Sequence, residues 1–242
     1  MTWGIAGAVE EEVRCIIDNL SEESVSQWGR KLVHTGKIKD QDVIVMATGV
    51  GKVKTSASIQ YLLDHFPIEA VIFTGMAGAV NPGVKVGDIV ISQKVVQHDF
   101  DLAGKGIVEE MKTPWFEADP ELVNLAVRAS SELGFKERVR LGTVLTGDQA
   151  VVDSKKREWL WETFRGDCVE MEGAAVASVC SQNKIPFVLI RAITDLADEN
   201  ARDDFHQTMS KACTNAANIV LGMLGLGVKA EVCKNMKGKK RK

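Results

Sequence analysis

Four places in the chain set ionisable side chains among apolar or small residues, and they define the chemistry to be explained. Glu10, Glu11 and Glu12 open a helix-like segment directly after the run GIAGAV. Carboxylates in a first helical turn are stabilised by the macrodipole, so two of the three need no further role. The segment Cys168-Val-Glu170-Met171-Glu172-Gly-Ala-Ala-Val-Ala places two glutamates around a methionine, where a short strand runs into a small-residue helix. Buried carboxylates are costly unless something binds them, and a sugar with adjacent hydroxyls is one such partner. Arg191 interrupts the apolar run VLIRAI. A guanidinium there must meet a carboxylate, in a structural salt bridge, or an anionic or water-bearing site. Asp195 ends the same run, either as a turn or N-cap residue or as an acid.

Four glycine-bearing segments read as turns at strand ends: Gly4-Ile-Ala-Gly7-Ala, Thr48-Gly49-Val-Gly51-Lys, Thr74-Gly75-Met-Ala-Gly78-Ala and Thr146-Gly147-Asp-Gln. Ligands of open α/β sheets bind at the carboxyl ends of strands, where glycine lets backbone N–H groups come close. A simple chain reversal explains any one of them equally well. The first lacks G-x-G-x-x-G spacing and none is G-x-x-x-x-G-K-[ST], so dinucleotide and P-loop readings fail.

The elements that must position these residues alternate between short β-branched runs and amphipathic segments of helix length, the pattern of an α/β protein around a buried sheet. Strands are expected at Thr2–Ala8, Lys31–Gly36, Asp42–Thr48, Ala70–Thr74, Asp88–Gln97, Arg138–Thr146 and Pro186–Thr194. Helices are expected at Val9–Leu20, Val53–His65, Pro120–Leu133, Ser154–Thr163, Glu172–Asn183 and Asp203–Leu226. The irregular stretch Asp99–Ala118, with Trp115 and Phe116, reads as a lid, an interface segment or plain surface. Without linker or repeat, residues 1–228 read as one domain.

A formal charge of -3 and 45% hydrophobic residues suit a packed globular protein with a small-molecule partner, not nucleic acid. Only the end departs from this balance: residues 229–242 read as a frayed basic tail, against a nucleic-acid or membrane patch. Five scattered cysteines without CxxC spacing fit reduced thiols. The acidic MTWGIAGAVEEEV is unlike a signal peptide and Ala217–Val228 is too short to span a bilayer, so a cytoplasmic location without membrane association is expected.

Six ordered pieces, GIAGAVEEEV, TGVGKV, TGMAGAVNPGVKVGDIVIS, LTGDQ, VEMEGAAVA and RAITDLAD, cover nearly the whole chain up to about Leu226. In them the chain resembles the methylthioadenosine/S-adenosylhomocysteine nucleosidases of the purine nucleoside phosphorylase superfamily. The resemblance implies a single-domain three-layer α/β sandwich, a central mixed sheet flanked by helices. It also implies a homodimer whose partner lends residues to the pocket, a purine nucleoside substrate, and neither metal nor organic cofactor. By the same resemblance Glu12 activates the attacking water and Asp195 protonates N7 of the departing purine. Glu172 binds ribose hydroxyls, Met171 packs on the sugar and Arg191 lies near the water. Val50 and Phe205 border the base or the 5′-substituent, and the backbone of Val151 reads the base edge.

Three pocket positions depart from the family. Met76, beside Ala77 and Gly78 in TGMAG, replaces a serine close to water and ribose; Ala150 replaces a phenylalanine that stacks on the base; Val9 replaces a methionine. Hydrolysis of methylthioadenosine and adenosylhomocysteine is the first expectation. Hydrolysis of futalosine or aminofutalosine follows, then phosphorolysis, then a nucleoside-binding protein without turnover. Phosphorolysis ranks low because Glu10-Glu11-Glu12 stand where a phosphate would need cations.

Overall fold

The computed structural model describes residues 1–100 and 115–225. Ten strands form one mixed sheet: β1 (Thr2–Gly7), β2 (Ser21–Trp28), β3 (Lys31–Ile38), β4 (Gln41–Ala47), β5 (Ala70–Ala79), β6 (Ile89–Gln97), β7 (Trp115–Glu117), β8 (Val139–Thr146), β9 (Cys168–Glu170) and β10 (Phe187–Asp195). Among the described residues six α-helices flank it: α1 (Glu10–Ile17), α2 (Lys52–His65), α3 (Pro120–Glu132), α4 (Ser154–Phe164), α5 (Gly173–Asn183) and α6 (Ala201–Met223). The mixed sheet between helices is the architecture expected from the sequence. One further property is that β10 pairs with both β5 and β6, so β5, β10, β6, β8 and β9 close into a ring. From β5 the sheet then extends through β1, β4, β3 and β2.

The central strands are mostly apolar because both of their faces are covered. Every residue of β10 is buried, Arg191 and Asp195 included. β1, β4, β5 and β10 run parallel to their β1 or β5 neighbours, which brings the carboxyl ends of β1, β5 and β10 together. Short β9 lies antiparallel to β5 and parallel to β8, with Thr146 opposite Glu170.

Several expectations need correction. β2, SEESVSQW, was not foreseen: it is exposed along nearly its whole length, so no alternation marks it, and pairing with β3 alone defines it. α1 stops at Ile17, where the amides of Asp18 and Asn19 bond back to Arg14 and Ile16, so 18–20 form a turn and not a last helical turn. α6 begins at Ala201, two residues early, and ends at Met223. Within the stretch expected to be irregular, Trp115–Glu117 is a strand on β6; 101–114, with the basic tail, fall outside the described residues. Cys168, Cys180 and Cys213 are free thiols, but Cys15 is disulfide-bonded, which the spacing of the cysteines does not reveal. Among the described residues no helix is long and apolar enough to cross a membrane.

The glycine segments also divide. Gly49 and Gly51 have φ of +83° and +96° and make a true turn before α2. Gly75 and Gly78 lie inside β5, which runs on to Ala79 instead of stopping at Thr74. Their missing side chains serve a close approach, not a reversal.

Candidate active site

At the carboxyl ends of β1, β5 and β10 five acidic side chains, Glu11, Glu12, Glu170, Glu172 and Asp195, border one cavity of about 650 Å³. Glu12, third residue of α1, turns its carboxylate back to the chain that precedes the helix. One oxygen accepts the N–H of Ala8 at 2.6 Å and of Val9 at 3.1 Å; the other accepts the N–H of Met76 at 2.9 Å. A Cβ on Gly75 would collide with Glu12 Oε1 and Arg191 Nη1, so glycine at that point of β5 makes room for both charges.

Arg191 lies beside Gly75 in the β5–β10 register and is 1% exposed. Its Nη2 donates to Glu170 Oε2 at 2.6 Å, and its guanidinium stacks on Phe73 with 4.5 Å to the ring centroid. Arg191 does not border the cavity; its charge reaches Glu12 from behind. Burial raises the pKa of Glu12, while Arg191 and the three amides oppose the rise.

Glu170 gathers four donors: Arg191, the Thr146 hydroxyl and the amides of Glu172 and Gly173. It therefore does the capping work at the start of α5, and Glu172, at the N-cap position, makes no side-chain cap bond. Freed from that task, Glu172 Oε1 accepts the N–H of Gly51 at 2.7 Å on the cavity wall. Burial and the neighbouring Glu170 push its pKa up to about 8, against the Gly51 bond and Arg191.

Asp195 follows an irregularity in the β5–β10 pairing, opposite Gly78, where a Cβ would stand 2.7 Å from Asp195 Oδ1. Its oxygens accept the Thr194 hydroxyl at 2.7 Å and the Ala197 amide at 2.9 Å. Burial raises its pKa; the two bonds lower it, and Asp204 and Asp198 raise it again. Glu12 thus sits among donors and a cation, and Asp195 among other acids. Both carboxyls are raised by burial, but the first influence opposing the rise is a cation at Glu12 and a hydroxyl at Asp195, an asymmetry that acid–base cleavage can use.

The apolar wall comes from Val9 ahead of α1, Val50 in the turn before α2, and Met76, Ala77 and Gly78 of β5. Ala150 and Val151 after β8, Met171 after β9, and Phe205 on α6 complete it. All the residues singled out from the sequence, except Arg191, meet here. Gln149, Thr194, Glu11, Arg202 and Met209 also line the cavity and were not foreseen. Met209 and Arg202 lie at helical spacing from Phe205, so that spacing was the available signal. Glu170 was visible as a costly carboxylate, but its four-donor role depends on strand pairing. Among the described residues no group of three or more His, Cys, Asp or Glu could hold a metal ion.

A fold closed around one cavity at strand ends, with paired carboxylates and no phosphate loop, matches a known family. Residues 2–225 fit the model of the phosphorylase superfamily, and the chain belongs to that family. Within it, the aminodeoxyfutalosine nucleosidase of Campylobacter jejuni is 32% identical over 92% of this chain and 98% of its own. The 5′-methylthioadenosine/S-adenosylhomocysteine nucleosidase of Geobacillus thermodenitrificans is 36% identical over 93% and 96%. A solved 5′-methylthioadenosine/S-adenosylhomocysteine nucleosidase from S. pneumoniae, with the transition-state inhibitor MT-ImmA, superposes with a TM-score of 0.85. It is 33% identical and covers 93% of this chain and 98% of its own.

Two outcomes follow from this geometry. Replacing Glu170 by Gln strips a buried guanidinium of its counter-charge, which costs roughly 3–5 kcal/mol in urea unfolding; a loss below about 1 kcal/mol contradicts the role given to the pair. Glu172 binds its proton more tightly folded than unfolded, so its contribution to stability declines as pH rises from 4.5 towards about 8. Glu172→Gln should therefore gain stability relative to wild type between about pH 5 and about pH 8. Parallel stability–pH curves for the two proteins would refute this.

Proposed function

We propose that the protein is a purine nucleoside N-ribosyl hydrolase acting on 5′-methylthioadenosine and S-adenosylhomocysteine, releasing adenine and the thioribose. The observation that carries the reading is the meeting of Glu12, Glu172 and Asp195 on one cavity, with unlike surroundings for the two reacting carboxylates.

Cleavage of an N-ribosidic bond builds positive charge on the sugar and negative charge on the base. Asp195, held protonated by burial and acidic neighbours, gives its proton to N7 of the leaving purine. Glu12 steers water to the anomeric carbon, and Arg191 behind it stabilises the ionised form. Glu172 has one oxygen on the Gly51 amide and the other for ribose hydroxyls, while Met171 packs on the sugar. Val50, Val9 and Phe205 hold the base and the 5′-substituent, and the backbone of Val151 reads the base edge. Met76 supplies an amide to Glu12 but no hydroxyl to the ribose. With Ala150 in place of a stacking ring, Phe205 is, among the described residues, the aromatic side chain on the wall. A lost stacking face weakens base binding by roughly 1–3 kcal/mol.

Hydrolysis is favoured over phosphorolysis because the donors around Glu12, where an attacking anion would sit, are in use. The amides of Ala8, Val9 and Met76 all end on Glu12, and Arg191 is paired with Glu170. Aminodeoxyfutalosine is the second reading, favoured by the C. jejuni relative and by a cavity with space beyond a methylthio group. Residues 1–228 would act as one domain, in the cytoplasm, in methionine salvage. Val50, Val53 and Val152 are exposed, and the first and last line the cavity, which supports a homodimer that covers this rim.

Purified protein should release adenine and a free thioribose from methylthioadenosine at a rate indifferent to phosphate. A phosphate-dependent rate with a ribose 1-phosphate product overturns the hydrolase reading. Asp195→Asn should lower kcat by about 10²–10⁴-fold at nearly unchanged melting temperature; near-normal turnover would remove Asp195 from the acid's role.

A further inference from the structure

Two consecutive amides at the start of α2 reach the two halves of the proposed substrate site. The N–H of Gly51 goes to Glu172, the carboxylate assigned to the ribose, and the N–H of Lys52 goes to Asp148 Oδ1 at 2.9 Å. Asp148 opens the segment 148–152, of which Gln149, Ala150, Val151 and Val152 line the cavity. Gly51, the N-cap residue of α2, has no side chain to cap with, so a carboxylate 96 residues away in sequence takes the first-turn amide. The turn that holds the ribose carboxylate is thereby joined to the segment proposed to read the base.

Lys52 itself stands where a cation is disfavoured. It is the first residue of α2, whose first turn holds no acid, and the macrodipole presents its positive end there. The side chain leaves the helix for two carboxylates: Nζ donates to both oxygens of Asp99, at 2.5 and 2.6 Å, and lies 3.5 Å from Asp148 Oδ2. Asp99 Oδ2 in turn accepts the N–H of Asp148 at 2.9 Å. Lys52, Asp99 and Asp148 thus form a closed ring, with the lysine side chain 17% exposed. Burial raises the Asp99 carboxyl, but the Lys52 ammonium and the Asp148 amide hold it below its usual range. One residue earlier, His98 packs so closely on Gly147 that a Cβ there would collide with its Nε2. Residues 98 and 99 therefore grip residues 147 and 148, and Lys52 supplies the cation between two carboxylates. An isolated surface pair contributes little, but taking this cation away leaves two acids facing each other.

We propose that Lys52 is a positioning residue for base recognition: with Asp99 and Asp148 it latches segment 148–152 to the turn at Gly51, so that the base meets a wall already in place. The proposal rests on the nucleosidase reading and deepens it. The bonds that hold Glu12 and Asp195 run to other segments, so the latch governs capture of the base and not cleavage of a nucleoside already bound. Without it, segment 148–152 is ordered at the expense of binding.

The test measures kcat and KM of the full chain for methylthioadenosine, the dissociation constant of adenine by calorimetry, and the melting temperature. The proteins are wild type, Lys52→Met, Lys52→Arg, Lys54→Met and the double variant Lys52→Met with Asp99→Asn. Lys52→Met should raise KM and the adenine dissociation constant together by about tenfold, with kcat within about threefold of wild type. Lys52→Arg keeps the cation and should recover most of that loss. Lys54→Met removes the same charge from the same helical turn, outside the ring, and should change both constants by less than about twofold. The double variant keeps an acceptor for the Asp148 amide while removing the unpaired carboxylate, and should bind adenine more tightly than Lys52→Met alone. The proposal is overturned if Lys52→Met leaves both constants within about twofold of wild type, if Lys54→Met weakens them equally, or if kcat and melting temperature fall while adenine binding holds, which is a structural role only. A wild-type protein that binds adenine but releases none from methylthioadenosine defeats the nucleosidase reading, and the latch then stands or falls on the adenine constants; one that binds no adenine defeats both.

Discussion

A guanidinium kept out of water is the constraint around which the site is arranged. Taking an ion into a protein interior costs several kcal/mol, and only close counter-charges and hydrogen bonds offset that. Arg191 finds the first in Glu170 at 2.6 Å and a ring face in Phe73, and it lends its field to Glu12. Because Glu170 also holds the start of α5 and the Thr146 hydroxyl, one ion pair ties together β8, β9, β10, α5 and, through Glu12, α1. Glu172 can face the cavity only because Glu170 has taken over its capping duty.

The same economy of space explains β5. Gly75 and Gly78 sit in an otherwise apolar strand at the two points where Glu12 with Arg191, and Asp195, press against it. The strand keeps its ladder while giving up its side chains, so two carboxylates reach the rim of one cavity from opposite neighbours, β1 with α1 on one side and β10 on the other. Burial raises both carboxyls; Arg191 and three amides oppose the rise at Glu12, while at Asp195 the Thr194 hydroxyl and the Ala197 amide oppose it and Asp204 and Asp198 add to it. The two proposed roles, a water-activating base and a proton-giving acid, fall to residues that each lie close to their own strand end.

Much of this was legible in the chain. Buried strands announce themselves as apolar runs, and the misplaced charges Glu12, Glu172, Arg191 and Asp195 were the features to notice. What the residues did not disclose depends on pairing between distant segments. β2 is polar on both faces and exists through β3, so no periodicity betrays it. Gly75 and Gly78 look like a turn because glycine serves close approach as well as reversal. Glu170 and Glu172 look equivalent until Thr146 and Arg191 are brought to one of them. Glu11 was assigned to the macrodipole, and only the packing of α1 on α6 turns it toward the cavity.

The most direct measurement is a crystal structure of the protein with a non-hydrolysable methylthioadenosine analogue. The account predicts the ribose between the two carboxyls, with Asp195 hydrogen-bonded at the purine N7 position and an ordered water held by Glu12 beneath the anomeric carbon. An analogue bound with its base away from Asp195, or with no ribose between Asp195 and Glu12, would contradict it.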